Sequence, residues 1–379
     1  MKIFRNVMIG LVCLMLVTII VLFIAYKRNL RAVDSSDTTI IEVDIPKNST
    51  ANDIGKILKE KDLIRSSTFF NIYVKLFKPG EFKAGRHEFS RSMEFKEIID
   101  ELLVTPTYNP DEIELKFKEG ITMRKIAEVI AASTNNSYES VIEKSNDIEY
   151  IDKLIEKYWF ITDAIKNNDI KYKLEGYLFP NTYRFRNKDV TVEEIFNKML
   201  DEMGKVLEPY KEDISKSNLS IHELITLASV IEKEAVDCKG NCNDQGVDYY
   251  RNNISRVFYN RLKSNMSLGS DVTTYYALEI DNALKYVEDN CNGVNVNCIN
   301  YGVQSPYNTR LGDGSMNGKL PVGPIATVSK GSIVASIYPS EVNYVYFVAN
   351  IQTKEMFFYE NYNDFLKKKN ELASVNKGL

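Results

Sequence analysis

Histidine is almost absent from this sequence. Its 379 residues include two, His87 and His222, and neither has a companion at metal-ligand spacing, which excludes a histidine-built metal centre. An excess of basic charge is missing too. The chain has 48 Lys and Arg against 52 Asp and Glu, a net charge of −4, with no dense basic run beyond the N-terminal segment. A groove that tracks phosphates needs such charge, so nucleic acid is excluded as a partner. Cysteine is scarce, with 5 in all. Cys13 lies in an apolar run, and the others sit in two polar stretches, CKGNC (Cys238, Cys242) and CNGVNVNC (Cys291, Cys298). None is spaced CxxC. An even number in polar loops suits disulfides in an oxidising compartment, with three pairings open, better than it suits zinc.

What is present describes a globular chain with an unusual start. Hydrophobic residues make up 44% and charged residues 26%, and the length allows two or three domains. Residues 7–26, VMIGLVCLMLVTIIVLFIAY, carry no charge and match a hydrocarbon core of roughly 30 Å. The run is too long for a signal peptide and ends in AYKR with no small-x-small cleavage site, so a retained anchor is expected. Lys2 and Arg5 precede the run while Lys27, Arg28 and Arg31 follow it, so charge alone does not orient it. With residues 1–6 as a short cytoplasmic tail, the large remainder is expected on the extracytoplasmic side. Residues 27–39 read as a polar linker.

Two stretches then align without a gap: IEVDIPKNSTANDIGKIL at residues 41–58 and IELKFKEGITMRKIAEVI at residues 113–130. Each alternates like a strand, turns, places Thr50 or Thr122 near a helix start, and continues at helical spacing. Ile54 corresponds to Ile126, Ile57 to Val129 and Leu58 to Ile130. Two copies are too few for a solenoid and read as paired small βα modules over residues 40–110 and 111–170. Between them lie an aromatic helix (Phe69, Phe70, Tyr73, Val74, Phe77) expected in the core, a strand around GRHEFS and the helix MEFKEIIDELL.

From residue 171 the chain turns aromatic and rich in turn residues (KLEGYLFPNTYRF), with helices predicted over 191–207, 220–235, 252–264 and 271–279. GKLPVGPIATVSKGS leads into another helix. NYVYFVAN and KEMFFYE read as strands, and NDFLKKKNEL as a helix capped by Asn363. Helices among antiparallel strands give an α+β fold, with residues 171–379 as its larger domain.

The stretch LASVIEKEA carries two glutamates, Glu232 and Glu234, on opposite faces of one helix. On a helical wheel Ile221, Leu224, Ile225, Ala228, Ile231 and Ala235 form an apolar stripe, and Glu232 projects inside it. Glu234 falls on its border beside Glu223, while Thr226, Ser229 and Lys233 occupy the polar face. A carboxyl in apolar surroundings is held neutral, the state a general acid needs. The plain structural alternative pairs Glu232 with a buried Arg256 or Arg261. Cleaving a glycosidic bond usually takes two carboxylates. One suffices when the sugar supplies its own nucleophile, as muramic acid can through its C6 hydroxyl. Glu175 and Asp271 are candidates for a second carboxylate, which keeps hydrolysis open.

LASVIEKEA follows LEGYLFPNTYRF and precedes VFYNRL, LGSDVTTYYAL, SPYNTR, LPVGPI and YVYFVAN. In this order the motifs resemble the YceG-like endolytic murein transglycosylases. KFKEGITMRKIAEVIA resembles the LysM-like segment that precedes that family's catalytic domain, and the single N-terminal anchor fits. The family's catalytic glutamate is the first of its EKE motif, here Glu232. The resemblance implies a membrane-tethered enzyme that cleaves the MurNAc-GlcNAc bond of nascent strands, leaves 1,6-anhydro-MurNAc ends and terminates elongation beside peptidoglycan synthases. It implies no metal or organic cofactor.

By the same resemblance, the substrate cleft includes Glu175 and Tyr177 (EGYLFPNTY), Asn260 and Arg261 (YNRL), Asp271, and Tyr307 and Asn308 (SPYNT). Three departures stand out: Val272 where the family has proline, Arg310 where it has tyrosine, and LPVGPIATVSKG where its pattern is nearer LPPGPIxNPG. These bear on substrate-side details and are expected to leave Glu232 untouched. The alternatives are a non-catalytic, membrane-anchored peptidoglycan-binding scaffold and a glycan hydrolase with a second carboxylate.

Overall fold

A computed structural model describes residues 2–104, 112–235, 246–290 and 299–376. The chain divides into two compact units, Met1–Pro110 and Asp111–Leu379. The first opens with helix α1 (Lys2–Leu30). Its apolar side chains from Leu14 to Ile24 lie open. Among the described residues no helix is long and apolar enough to cross a membrane. Residues 7–10, 12 and 13 of the apolar run fall outside the described side chains.

The rest of this unit comprises β1 (Ile41–Ile45), α2 (Ala51–Glu60), α3 (Ser67–Phe77), β2 (Gly85–Phe89) and α4 (Phe95–Leu103). β1 and β2 pair antiparallel with Val43 opposite His87. The period-2 alternation of the strands turns Val43, Ile45 and Phe89 inward against Ile54, Leu58, Phe70 and Ile98. Thr50 starts α2 through a reciprocal box with Asp53. Phe70 of the aromatic helix is in this core, but Phe77 is 57% exposed, so the run is core on one side only.

The second unit repeats the pattern. β3 (Ile113–Lys116) leads through the cap Thr122 to α5 (Met123–Ser133), where Ile126 and Ile130 are buried as Ile54 and Leu58 are. After α6 (Tyr138–Asn146) and α7 (Ile148–Lys157), β4 (Thr182–Phe185) returns antiparallel to β3, with Leu115 opposite Tyr183. Next come α8 (Val192–Leu207), α9 (Lys211–Lys216), α10 (Ile221–Glu234), α11 (Gly246–Lys263), α12 (Asp271–Ala277), α13 (Ala283–Asn290) and α14 (Lys330–Ile337). The strands β5 (Tyr346–Ala349) and β6 (Met356–Tyr359) pair antiparallel.

The final helix, α15 (Tyr362–Glu371), is capped by Asn361 and not by Asn363. Asn361 Oδ1 accepts from Asp364 N at 2.9 Å, which starts the helix two residues earlier. The fold is α+β, as its alternation of patterns implied. Cys238, Cys242, Cys291 and Cys298 lie outside the described residues.

α10 is the axis of this unit. Ser220 and Glu223 close its first turn in a capping box. Beyond it the helix passes between two apolar cores. Leu224, Ile225 and Ala228 face one, with Ile126, Leu178 and Phe196. Leu227, Val230 and Ile231 face the other, with Ile254, Phe258 and Ile325. Thr226 and Ser229, expected on a solvated face, are buried as well. Thr226 Oγ1 donates to His222 O at 2.8 Å, and Ser229 Oγ accepts from Ile325 N at 3.0 Å. A wheel with one apolar stripe therefore misdescribes this helix, which is enclosed on both sides. Each large aliphatic buried here contributes ~1.5–3 kcal/mol, and together they hold the C-terminal turn in place.

Candidate active site

Glu232 lies in that C-terminal turn, its side chain 8% exposed. Its Oε2 accepts three hydrogen bonds: from Ser329 N at 3.1 Å, from Ser332 Oγ at 2.6 Å, and a very short one from Ser329 Oγ. Ser329 is the N-cap of α14, so the carboxylate faces the positive end of that helix. Arg251 Nη2, from α11, stands 3.6 Å from Oε1.

Two expectations are corrected here. The surroundings of Glu232 are polar, because its neighbours come from α14 and α11, which a wheel of α10 does not show. Its cationic neighbour is Arg251, not Arg256 or Arg261. Arg256 Nε donates to Ser340 O, and Arg261 Nε donates to Val345 O at 2.7 Å. The end of α10 lies against the early turns of α11, which puts the later arginines out of reach.

Gly120 closes the other side. Its φ of 70° is left-handed, and a Cβ there would lie 3.7 Å from Glu232 Cγ. Lys233 Nζ donates to Gly120 O at 3.2 Å. The same turn is stitched to the segment before α14: Gly120 N donates to Thr327 O at 3.1 Å, and Thr327 N donates to Ile121 O at 2.8 Å. The second βα copy is thus part of the site's wall. Beside it opens a cleft of 510 Å³ lined by Gly120, Arg124, Lys233, Val272, Tyr275 and Tyr276, among others. Pockets for small ligands span roughly 300–1,000 Å³.

The residues expected at the cleft take other places. Glu175 is fully buried. Its carboxylate accepts from Met123 N at 2.9 and 3.0 Å and from Tyr276 Oη at 3.1 Å. Desolvation pushes it up to about 7 against those hydrogen bonds. Because Tyr276 lines the cleft, Glu175 holds a wall residue in place. Tyr177 Oη donates to His222 Nδ1 at 2.8 Å while His222 Nε2 donates to Val322 O at 3.1 Å. Burial lowers the His222 pKa, which keeps that imidazole neutral.

Buried Tyr307 accepts from Lys171 N at 3.2 Å and packs its ring 4.8 Å from that of Tyr276. Asn308 Nδ2 donates to Tyr301 O and Val303 O, both at 2.9 Å. Asn260 Nδ2 donates to Val342 O and Tyr344 O, at 3.1 and 2.9 Å. Asp271 is ion-paired with Arg310. Among the described residues none of these seven, Arg261 included, bonds to Glu232.

Sequence reasoning missed Arg251, Ser329, Ser332 and Gly120. The signal for Ser329 was a serine just before the helical run KGSIVASI, the usual N-cap pattern. It placed Glu234 at the border of the apolar stripe, where the residue is half-buried, but missed how strongly its carboxyl is enclosed. That carboxyl is desolvated and pushed up to about 7, Asp271 adding to the rise while a hydrogen bond from Ser270 Oγ at 2.5 Å opposes it. Glu234 projects between Leu227 and Val230, both fully buried. Those two residues marked a second apolar face.

Glu232 does not itself line this cleft, but Gly120 against its side chain and Lys233 next to it in sequence do, as does one carboxyl, Asp281. A firmly held carboxyl beside a cleft of this size is the equipment of a general acid–base enzyme. Residues 43–371 match the model of the YceG-like family. The chain is 33% identical over 336 residues to the endolytic murein transglycosylase of Bacillus subtilis (strain 168), covering 88% of this chain and 86% of that protein. It is 29% identical over 347 residues to the endolytic murein transglycosylase of Streptococcus pneumoniae serotype 2 (strain D39), covering 89% of this chain and 59% of that one. The crystal structure of the yceG-like protein lmo1499 from Listeria monocytogenes matches with a TM-score of 0.58 at 33% identity, over 87% of this chain and 99% of that one. The chain belongs to the YceG-like family, and with it to the lytic transglycosylases. One departure from the family pattern does reach Glu232: LPVGPIATVSKG supplies Ser329 to its carboxylate.

Proposed function

We propose that this chain is an endolytic transglycosylase of peptidoglycan, tethered in the cell membrane by residues 7–26 with its catalytic unit outside, and that Glu232 serves as both its acid and its base. The observation that carries the reading is the unequal treatment of the two oxygens of Glu232. Among the described residues Oε2 is occupied by three donors, whereas Oε1 faces only Arg251 at 3.6 Å, beyond hydrogen-bond distance.

Oε1 is then the oxygen that carries the proton. It passes to the glycosidic oxygen as the MurNAc C1–O bond breaks and the bonding electrons leave with the GlcNAc oxygen. The C6 hydroxyl of the same MurNAc attacks C1, its proton returns to Oε1, and a 1,6-anhydro end results. Arg251 steadies the carboxylate between the two transfers. Glu175 is sealed inside and Asp271 is paired with Arg310, which favours this one-carboxylate route over hydrolysis.

The names of the relatives support murein as substrate. The uncharged run of residues 7–26 and the open apolar side chains of α1 support the tether. The second βα copy, within residues 111–170, is read as a LysM-like glycan-holding module. Cutting nascent strands ends their elongation and places the enzyme beside peptidoglycan synthases. Digestion of un-crosslinked glycan tests the reading. It predicts 1,6-anhydro-MurNAc ends, while reducing ends would make the enzyme a hydrolase, and binding without products would make it a scaffold.

A further inference from the structure

Where α1 leaves its apolar stretch, two adjoining hollows of 530 and 480 Å³ share Ile24, Arg28 and Arg65. Their walls divide by chemistry. Val21, Phe23 and Ile24 stand on the side of the apolar stretch, and Lys27, Arg28, Arg31 and Arg65 stand beyond it. Among the described residues none of these four cations has a carboxylate partner. Lys27 Nζ lies 5.9 Å over the ring of Phe23. Arg65 spends Nη2 on Ala32 O and Val33 O, at 2.6 and 3.0 Å, but its Nε is buried with no partner. An orphaned guanidinium donor among unpaired cations is a costly arrangement unless an anion completes it.

We propose that this hollow binds the phosphate diester of one anionic phospholipid on the exported side of the membrane, with the acyl chains lying along Val21, Phe23 and Ile24. Arginine suits the task because its planar fork matches phosphate oxygens. A lipid fits better than a soluble phosphate because the apolar surface continues beyond the cations. Tyr26 packs edge-on against Phe69 of α3, with ring centroids 5.8 Å apart. α3 then exposes Ile72, Leu76 and Phe77. A site of this kind also explains why Lys27, Arg28 and Arg31 follow the apolar run, where they blur the charge asymmetry that usually orients an anchor. The proposal rests on the membrane tether proposed above.

The test is native mass spectrometry of the full chain released from micelles holding equal phosphatidylglycerol and phosphatidylcholine. Phosphatidylglycerol should be retained preferentially. Arg28→Gln/Arg31→Gln, which removes no side-chain hydrogen bond among the described residues, should lower that preference by about fivefold per charge, roughly 25-fold in all. Equal retention of the two lipids, or a preference unchanged in the variant, overturns the site. Displacement by equimolar glycerol 3-phosphate overturns the choice of a lipid over a soluble phosphate. Carbonate-resistant flotation with phosphatidylcholine vesicles reads the tether separately. Flotation without lipid preference sinks the site and leaves the tether, and preference without flotation does the reverse.

Discussion

At the scale of single residues, the role proposed for Glu232 depends on how its carboxyl is held. Ser332→Ala removes one of three donors to Oε2 and leaves the N-cap Ser329 in place. It should lower kcat about ten- to a hundredfold, as the loss of a charge-assisted hydrogen bond does, with Tm moved by less than about 3 °C. Steady-state kinetics and a thermal melt check both halves.

Glu175 makes a different kind of prediction. Its folded pKa is about 7 against an ordinary 4.5, so the native state keeps a proton that the unfolded chain has lost. Stability from this group is full below about pH 4.5 and is lost as pH rises through 7, by at most ~3 kcal/mol. Glu175→Gln lacks that loss. Denaturation at pH 5 and pH 8 should therefore show the difference between wild type and variant swinging toward the variant as pH rises. A constant difference would contradict the assignment. Glu232 was legible in the sequence because its position on α10 is local. Its partners were not, because Arg251, Ser329 and Gly120 arrive from elements that only folding brings together.

At the scale of elements, the site depends on loops pressed against α10. Gly176 sits at a φ of 79°, and a Cβ there would come within 2.4 Å of Pro324 Cβ. Gly176→Ala must therefore strain its own backbone and push back the loop that carries Pro324. We expect a loss above about 3 kcal/mol in chemical denaturation, with activity falling together with the folded fraction. Ordinary stability would show that the turn has room that its geometry denies.

Elements with local signals read well from sequence: the helix starts at Thr50 and Thr122, the aligned strands and helices of the two βα copies, and the closing strand pair. α10 read only in part. Its enclosure by two cores is a tertiary fact, and the buried hydroxyls of Thr226 and Ser229 mimic a solvated face.

At the scale of the whole molecule, every residue placed at the site belongs to the unit Asp111–Leu379. That unit contains the second βα copy, and β3 pairs with β4 well beyond residue 170. A chain starting at Asp111 should fold cooperatively and cleave soluble glycan to the same ends as the full protein. One starting at residue 171 should not, because it loses Gly120, Met123 and the partner strand of β4. Circular dichroism melts and product profiles of the two truncations separate these outcomes.

The central claim is that Glu232 alone delivers and recovers the proton while the sugar attacks itself. Mass spectrometry of un-crosslinked glycan digested by wild type and Glu232→Gln tests it most directly. The account predicts 1,6-anhydro-MurNAc ends, with no gain of 18 Da from water, from the wild type, and intact strands from a folded variant. Reducing ends from the wild type, or anhydro ends from Glu232→Gln, would contradict it.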